Sequence, residues 1–365
     1  MPNNLEAYYG LPKEVVFCKA CVTSNQRPIS AVEFKHKEDS KKTVMRIDEE
    51  GVCDACRFYD LREKIDWEER EKELKELLDK HRSKDGSYDC IVPGSGGKDS
   101  GFAAHTLKYK YGMHPLTVTW SPILYTDYGY RNWKNWIDSG FNNIKFTPNG
   151  KVMKLLTRLS IENLFHPFQT FILGQKNCGA KAALLYNIPL VFYGESEGER
   201  GLPVKMGNAA LRDNSYHTYQ DLDDIYLAGV PVKELREKYD VQLADIKTFL
   251  PPTEEELEKT KIEVHTLGYY IKWIPQETYQ YAVENTGFKP RPFRTQGTYT
   301  NYSSIDDKID DLHYYTTFIK FGIGRATYNA SQEIRNKQIT REEGKALVKQ
   351  FDGEFPDPDR YFNEV

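Results

Sequence analysis

The pattern of apolar and polar positions changes character twice along the chain. Over residues 60–84, DLREKIDWEEREKELKELLDKHRSK, the apolar Leu61, Ile65, Leu74, Leu77 and Leu78 fall partly at helical spacing with charges between them. This predicts a solvated connecting helix. From residue 85 short apolar runs alternate with amphipathic ones. Asp85-Gly86 reads as a turn and Tyr88–Val92 as a first strand. Residues 99–111 read as a helix, PLTVTW (115–120) as a second strand, and 128–140 as a helix stopped by Gly140. NNIKFTP (142–148) reads as a third strand, and 150–164 and 168–186 as helices. IPLVFYGES (188–196) reads as a fourth strand, and its unbroken apolar run predicts burial on both faces. Such alternation predicts a parallel α/β sheet with ligands at the carboxyl ends of its strands. The glycine loop after Val92, Trp120-Ser121 and Gly194-Glu195-Ser196 all lie at such ends, so they are expected to converge.

Beyond residue 204 the alternation is lost and the pattern is mostly helical. YSSIDDKIDDLHYYTTFIKFGIGRATYNASQEIRNK (302–337) reads as one long helix interrupted around Gly322-Ile323-Gly324. ITREEGKALVKQFDG opens with a capping box, Thr340 to Glu343. The expected organisation is a cysteine module (1–60), a connecting helix (61–84), an α/β domain (85–204) and a mostly helical region (205–365) that binds substrate or a partner.

Two C-x-x-C pairs, Cys18/Cys21 and Cys53/Cys56, change the picture of the N-terminal module. Each pair closes a turn with both sulfurs facing one point, and together they supply the four thiolates of a structural zinc site. An iron–sulfur cluster is the alternative. The intervening stretches AVEFKH and TVMRID are expected to form a hairpin under the metal. A module of this size buries little core, which a metal offsets. Cys90, in the first strand, and Cys178 read as packed residues.

Charge narrows the function classes. With 50 Lys and Arg against 54 Asp and Glu, the net charge is -4, which argues against a protein held mainly by nucleic-acid phosphates. No apolar run reaches the roughly 18 residues of a membrane span, and the N-terminal stretch lacks a signal-peptide pattern. The expected compartment is the cytoplasm.

The chemistry lies in CIVPGSGGKDS (90–100). A Walker A loop requires Ser or Thr where Asp99 stands and glycine where Val92 stands, and a dinucleotide fingerprint requires glycine at Asp99. Small residues between strand and helix nevertheless bare backbone N–H groups at a positive helix end, a nest for pyrophosphate. The block SGGKDS, Ser95-Gly96-Gly97-Lys98-Asp99-Ser100, resembles the PP-loop of the ATP pyrophosphatase superfamily, whose fold is a HUP-like adenine nucleotide alpha hydrolase domain. The resemblance implies that Lys98 neutralises phosphate charge and Asp99 organises magnesium.

Further blocks narrow the resemblance: LFHPFQTFILGQ (164–175), IPLVFYGESEGERG (188–201), HTLGYYIKW (265–273), residues 297–336 and residues 339–356. Together they resemble the N-acetyl sugar amidotransferases of bacterial surface-polysaccharide and flagellin-glycan synthesis, most specifically over 297–356. The resemblance implies an enzyme that converts a sugar's acetamido group to an acetamidino group. ATP adenylates the acetamido oxygen, ammonia attacks the imidate carbon, and AMP and pyrophosphate are released. Trp120 and Gly194 are expected at the nucleotide, and Glu195 keeps a carboxylate where the family often reads Gly-Glu-Asn. Tyr302, His313, Lys320 and Arg325 are the candidate substrate contacts. The resemblance also implies ammonia from a separate glutaminase of the HisH type with a HisF-like channelling subunit. A tRNA-modifying PP-loop enzyme is the alternative reading.

Overall fold

The computed structural model describes residues 10–28, 41, 43–213 and 218–359. Helix α1 (Asp54–Arg62) leaves directly from the second cysteine pair. Helix α2 (Trp67–His81) follows after a break. The connecting helix expected over 61–84 is therefore two helices. Asp66 interrupts it, because its carboxylate accepts the N–H groups of Glu68 and Glu69 at 3.1 Å and so starts a new helix. The sparse apolar face of α2 buries Leu74 and Leu78 completely.

The sheet contains β1 (Cys90–Pro93), β2 (Pro115–Trp120), β3 (Asn143–Phe146), β4 (Leu190–Tyr193) and β5 (Glu263–Thr266) in the order β3-β2-β1-β4-β5. All pairings are parallel: Ile91 lies opposite Leu116 and Val191, and Leu190 opposite Glu263. The period-2 alternation of strand side chains divides two cores. Ile91, Val118 and Val191 join the face covered by Leu156 and Leu173, whereas Cys90, Val92, Leu190 and Phe192 face Leu74, Leu78 and Leu107. The covering helices are α3 (Lys98–His105), α4 (Asp127–Asp138), α5 (Gly150–Leu164) and α6 (Gln169–Tyr186). A π-helical turn, Thr106–Lys110, extends α3. The strand order reverses direction at β1 and β4, which opens a crevice at their carboxyl ends.

The fifth strand comes from the region expected to be mostly helical. Only four residues long, Glu-Val-His-Thr mixes polar and apolar side chains at a sheet edge, so its own pattern is weak. Before it lie α7 (Val232–Tyr239), α8 (Leu243–Phe249) and α9 (Glu254–Thr260). After it come α10 (Pro275–Asn285), α11 (Asp310–Phe321), α12 (Arg325–Arg335) and α13 (Arg341–Phe351), the last with the expected Thr340–Glu343 capping box.

Residues 302–309 are not helical, contrary to the expectation for 302–337. They form a strap docked on the segment after β2. The Thr126 N–H donates to the Asp306 carbonyl at 3.1 Å and the Lys308 N–H to the Leu124 carbonyl at 2.8 Å. The Asp307 carboxylate accepts the N–H groups of Ile123 (2.5 Å), Leu124 (3.3 Å) and Ile309 (3.0 Å). These bonds satisfy backbone groups that a helix would have used internally, so helical periodicity yields to docking. Of the hairpin expected between the cysteine pairs, AVEFKH lies outside the described residues. TVMRID contributes two isolated bridges, Val44 to Pro28 and Ile47 to Cys53. Among the described residues no helix is long and apolar enough to cross a membrane.

Candidate active site and metal centre

The glycine loop is shaped by what surrounds it. Gly96 has φ +82°, and a Cβ there would lie 2.7 Å from the Asn132 carbonyl oxygen on α4. At Gly194 a Cβ would lie well inside 3 Å of the Asp99 carbonyl oxygen. The first turn of α3 can therefore rest against the end of β4 only while that position has no side chain. Gly97 caps α3 without a side-chain bond, which leaves the N–H groups of the first turn for a ligand. Lys98 Nζ lies 2.6 Å from the Asp99 carboxylate and 5.4 Å from the centre of the Trp273 ring.

Two cavities meet at the loop and share Ser95, Gly97 and Asp99. The larger, about 290 Å³, is walled by Trp120, Phe171, Tyr193, Gly194, Glu195 and Arg212 at the ends of β2 and β4. The smaller, about 130 Å³, is walled by Lys98, Asn132, Tyr302, Ser303, Ser304, Asp306 and Arg325. The expected convergence of the glycine loop, Trp120, Gly194 and Glu195 is thus what the sheet produces.

The four candidate substrate residues separate. Tyr302 and Arg325 line the smaller cavity. The Tyr302 hydroxyl accepts a bond from Gln276 Nε2 at 2.7 Å, and its ring stacks on Tyr279 at 4.3 Å. His313 instead stacks on His166 at 4.9 Å and meets Phe168 edge-on at 5.2 Å. Lys320 Nζ donates to the Leu164 carbonyl at 3.2 Å, closing the end of α5. Neither His313 nor Lys320 lines either cavity. Both belong to the contact between α11 and the α5–α6 connection, which no periodicity distinguishes from a binding face. Sequence reasoning missed Arg212, Asn132, Ser303, Ser304 and Asp306, which no spacing ties to the loop. Cys178 also borders the larger cavity, but burial pushes its thiol up to about 12, so it is packed and unreactive.

The N-terminal cysteines converge as their spacing implies. The ligating sulfurs of Cys18, Cys21, Cys53 and Cys56 all lie within 4.8 Å of one another. Cys18 and Cys56 sulfurs are 3.9 Å apart and those of Cys21 and Cys53 3.8 Å. Four sulfurs about 2.3 Å from one tetrahedral ion would stand about 3.8 Å apart. The Cys18 sulfur also accepts the N–H groups of Ala20 and Cys53, both at 3.3 Å, as a thiolate would. The centre is tied to the rest of the chain. Arg341 of α13 donates to the carbonyls of Cys21 (3.0 Å) and Cys18 (2.9 Å). Arg62 of α1 and Arg335 of α12 approach buried Glu199 at 3.5 and 3.4 Å.

A parallel sheet whose first strand empties into a Ser-Gly-Gly-Lys-Asp-Ser nest defines a PP-loop protein of the α/β class, here with a cluster of four cysteines close enough together to hold a metal ion. Residues 296–365 match the family model described as "LPS biosynthesis protein WbpG-like, C-terminal domain". The match falls on the stretch whose sequence resemblance is the most specific. The chain is also similar to "Uncharacterized protein MJ1599" of Methanocaldococcus jannaschii, 34% identical over 83 residues. That alignment covers 23% of this chain and 29% of the relative. Among solved structures it is similar to the U34-tRNA thiolase NcsA from Methanococcus maripaludis with its [4Fe-4S] cluster, at 13% identity and a TM-score of 0.30. That alignment covers 91% of this chain and 94% of the thiolase.

Proposed function

We propose that the protein is a sugar-modifying PP-loop enzyme, an ATP-dependent amidotransferase that converts an acetamido group to an acetamidino group. The observation that carries this reading is the position of the nest between two cavities, one of them walled by the WbpG-like segment. The larger cavity, with its aromatic walls, suits the base and ribose of ATP together with the acetamido group. The acetamido oxygen attacks the α-phosphorus, and the bond to the β-phosphate breaks with its electrons leaving on pyrophosphate. Ammonia then adds to the imidate carbon, AMP departs with the C–O electrons, and a proton is released as the amidine forms.

In this reading the N–H groups at the start of α3 and the Lys98 ammonium hold the phosphates. Lys98 is pre-positioned by Asp99 at 2.6 Å. Glu195, in the cavity wall, takes a proton from the attacking nitrogen in this reading. Asp99 fits a magnesium ion, which would supply charge neutralisation at the phosphates. The four cysteines hold zinc as a structural ion, because their sulfurs are closer together than a four-iron cubane would place them. Ammonia comes from a separate HisH-type glutaminase with a HisF-like subunit, and the enzyme acts in the cytoplasm.

Pyrophosphate release across a panel of acetamido sugars, with ammonium present, tests the proposal. Release should require both sugar and ammonium, and glutamine should not substitute. Release supported by tRNA instead of any sugar would overturn it, and turnover of glutamine by this chain alone would overturn the separate glutaminase.

A further inference from the structure

We infer that Glu199 is a positioning residue for Glu195, and that through it the four-cysteine module holds the segment after β4 at the edge of the larger cavity. The effect on the reaction rests on the role of Glu195 read above; the holding of the segment does not. Glu195 lines that cavity, and a 3-10 turn, Glu197–Arg200, follows almost at once. Glu199 is 3% exposed, and cations from two other parts of the chain meet on its carboxylate.

One cation belongs to the cysteine module. Helix α1 carries Cys56 in its first turn and ends at Arg62, about 9 Å further along at 1.5 Å per residue. Arg62 Nη1 lies 3.5 Å from one Glu199 oxygen and donates to the Trp273 carbonyl at 3.1 Å. Its Nη2 donates to Asn336 Oδ1 at 2.9 Å. Glu63 also approaches Arg62, at 4.0 Å, but its carboxylate is half in water and screened, so Glu199 is the buried counter-charge. The other cation is Arg335 of α12, 3.4 Å from the second Glu199 oxygen. Both guanidinium groups lie over the Tyr59 ring of α1, at 3.6 and 5.1 Å from its centre. Burial pushes the Glu199 carboxyl up while Arg335, Tyr59 and Arg62 pull it back, so its ionised form depends on both arginines staying in place.

Packing rests the turn on the same module. A Cβ on Gly198 would lie 2.5 Å from the Phe58 ring of α1, and one on Gly201 would run into Met45, which is buried among the four cysteines. On the opposite side Ser196 fills the space beside Gly268, where a Cβ would lie 2.8 Å from the Ser196 nitrogen. An ion held by the four sulfurs fixes the start of α1, and with it the places of Phe58 and Arg62. A shift of α1 therefore moves the turn by contact and by charge together.

Hydrogen–deuterium exchange on the full-length protein tests this without turnover. The Glu199 and Gly201 amides are bonded to the Ser196 and Gly198 carbonyls at 3.2 and 3.3 Å, so their exchange reports whether the turn is held. Glu199→Gln, which keeps the shape and removes the charge, should accelerate exchange over 195–201 roughly tenfold or more. Exchange over β1, β2 and β3 should stay within about twofold, with the metal retained. Gly198→Ala, which leaves the charges intact, should do the same by pushing the turn off Phe58, and it carries the test if Glu199→Gln does not fold. Chelated wild type should match them. In pyrophosphate release, Glu199→Gln should lower kcat roughly tenfold to a hundredfold and leave the KM for ATP within about threefold, and Glu199→Asp should recover part of the rate. Unchanged exchange over 195–201 in the variants or in chelated wild type, or equal acceleration across the sheet, overturns the inference. If a sugar supports release and Glu199→Gln keeps its kcat, the positioning role fails and the reaction stands. If exchange responds as stated but no sugar supports release, the reaction fails and the holding of the segment stands.

Discussion

Replacing Asp307 tests how the WbpG-like segment is fastened to the sheet. This carboxyl is 3% exposed and accepts three backbone N–H groups from two segments. Asp307→Ala strands those donors, at about 1–3 kcal/mol for each one kept from water. Ile309 is buried whereas Ile123 and Leu124 are half-buried, so water replaces part of the loss and the total is roughly 2–5 kcal/mol. Burial, followed by the neighbouring Asp306 charge, pushes the Asp307 carboxyl up to about 7, against the pull of the three N–H groups. A raised carboxyl contributes stability that is full below its unfolded pKa of about 3.9 and is lost as pH rises through about 7. Asparagine offers an oxygen without titrating. Wild type should therefore lose stability relative to Asp307→Asn between pH 5 and pH 8, by on the order of 2 kcal/mol. Urea unfolding followed by tryptophan fluorescence at the two pH values measures this. A wild type that instead gains on Asp307→Asn with rising pH would refute the reasoning: the carboxylate would then be ionised, with its hydrogen bonds outweighing burial.

Other perturbations give sharper all-or-none results. Gly194→Ala should abolish ATP binding by driving the first turn of α3 off the end of β4, while circular dichroism shows the sheet retained; wild-type nucleotide affinity would contradict the close approach. Asp99→Ala should eliminate pyrophosphate release without loss of fold, and unchanged turnover would count against the loop assignment. Chelation or Cys21→Ser should remove about one zinc per chain by elemental analysis and lower the melting temperature, because Arg341 and α1 dock on that centre. Iron in place of zinc would replace the ion but leave the docking argument intact.

The chemical centre and the first four strands were legible from the chain alone. Val92 to Ser100 carries its own context: a β-branched strand end, glycines whose freedom the turn requires, and a helix start. The paired cysteines are equally local, since C-x-x-C brings two sulfurs together within one turn. The strap at 302–309 was not legible. Its apolar spacing fits a helix, and only the N–H groups of Ile123 and Leu124, far away in sequence, make the extended form of Asp307 the better one. The same holds for β5, whose four residues become a strand only because β4 offers an open edge.

The candidate substrate residues show the division most clearly. Arg325 and Lys320 are both cations in one mostly helical stretch, and nothing in their spacing separates them. The fold brings Arg325 into the wall of the smaller cavity beside the glycine loop and spends Lys320 on the carbonyl of Leu164. By itself the sequence determined the loop that marks a PP-loop protein, because that loop is built from consecutive residues. Only the tertiary structure decided which distant side chains surround it, because those contacts form when separate segments satisfy one another's buried backbone groups.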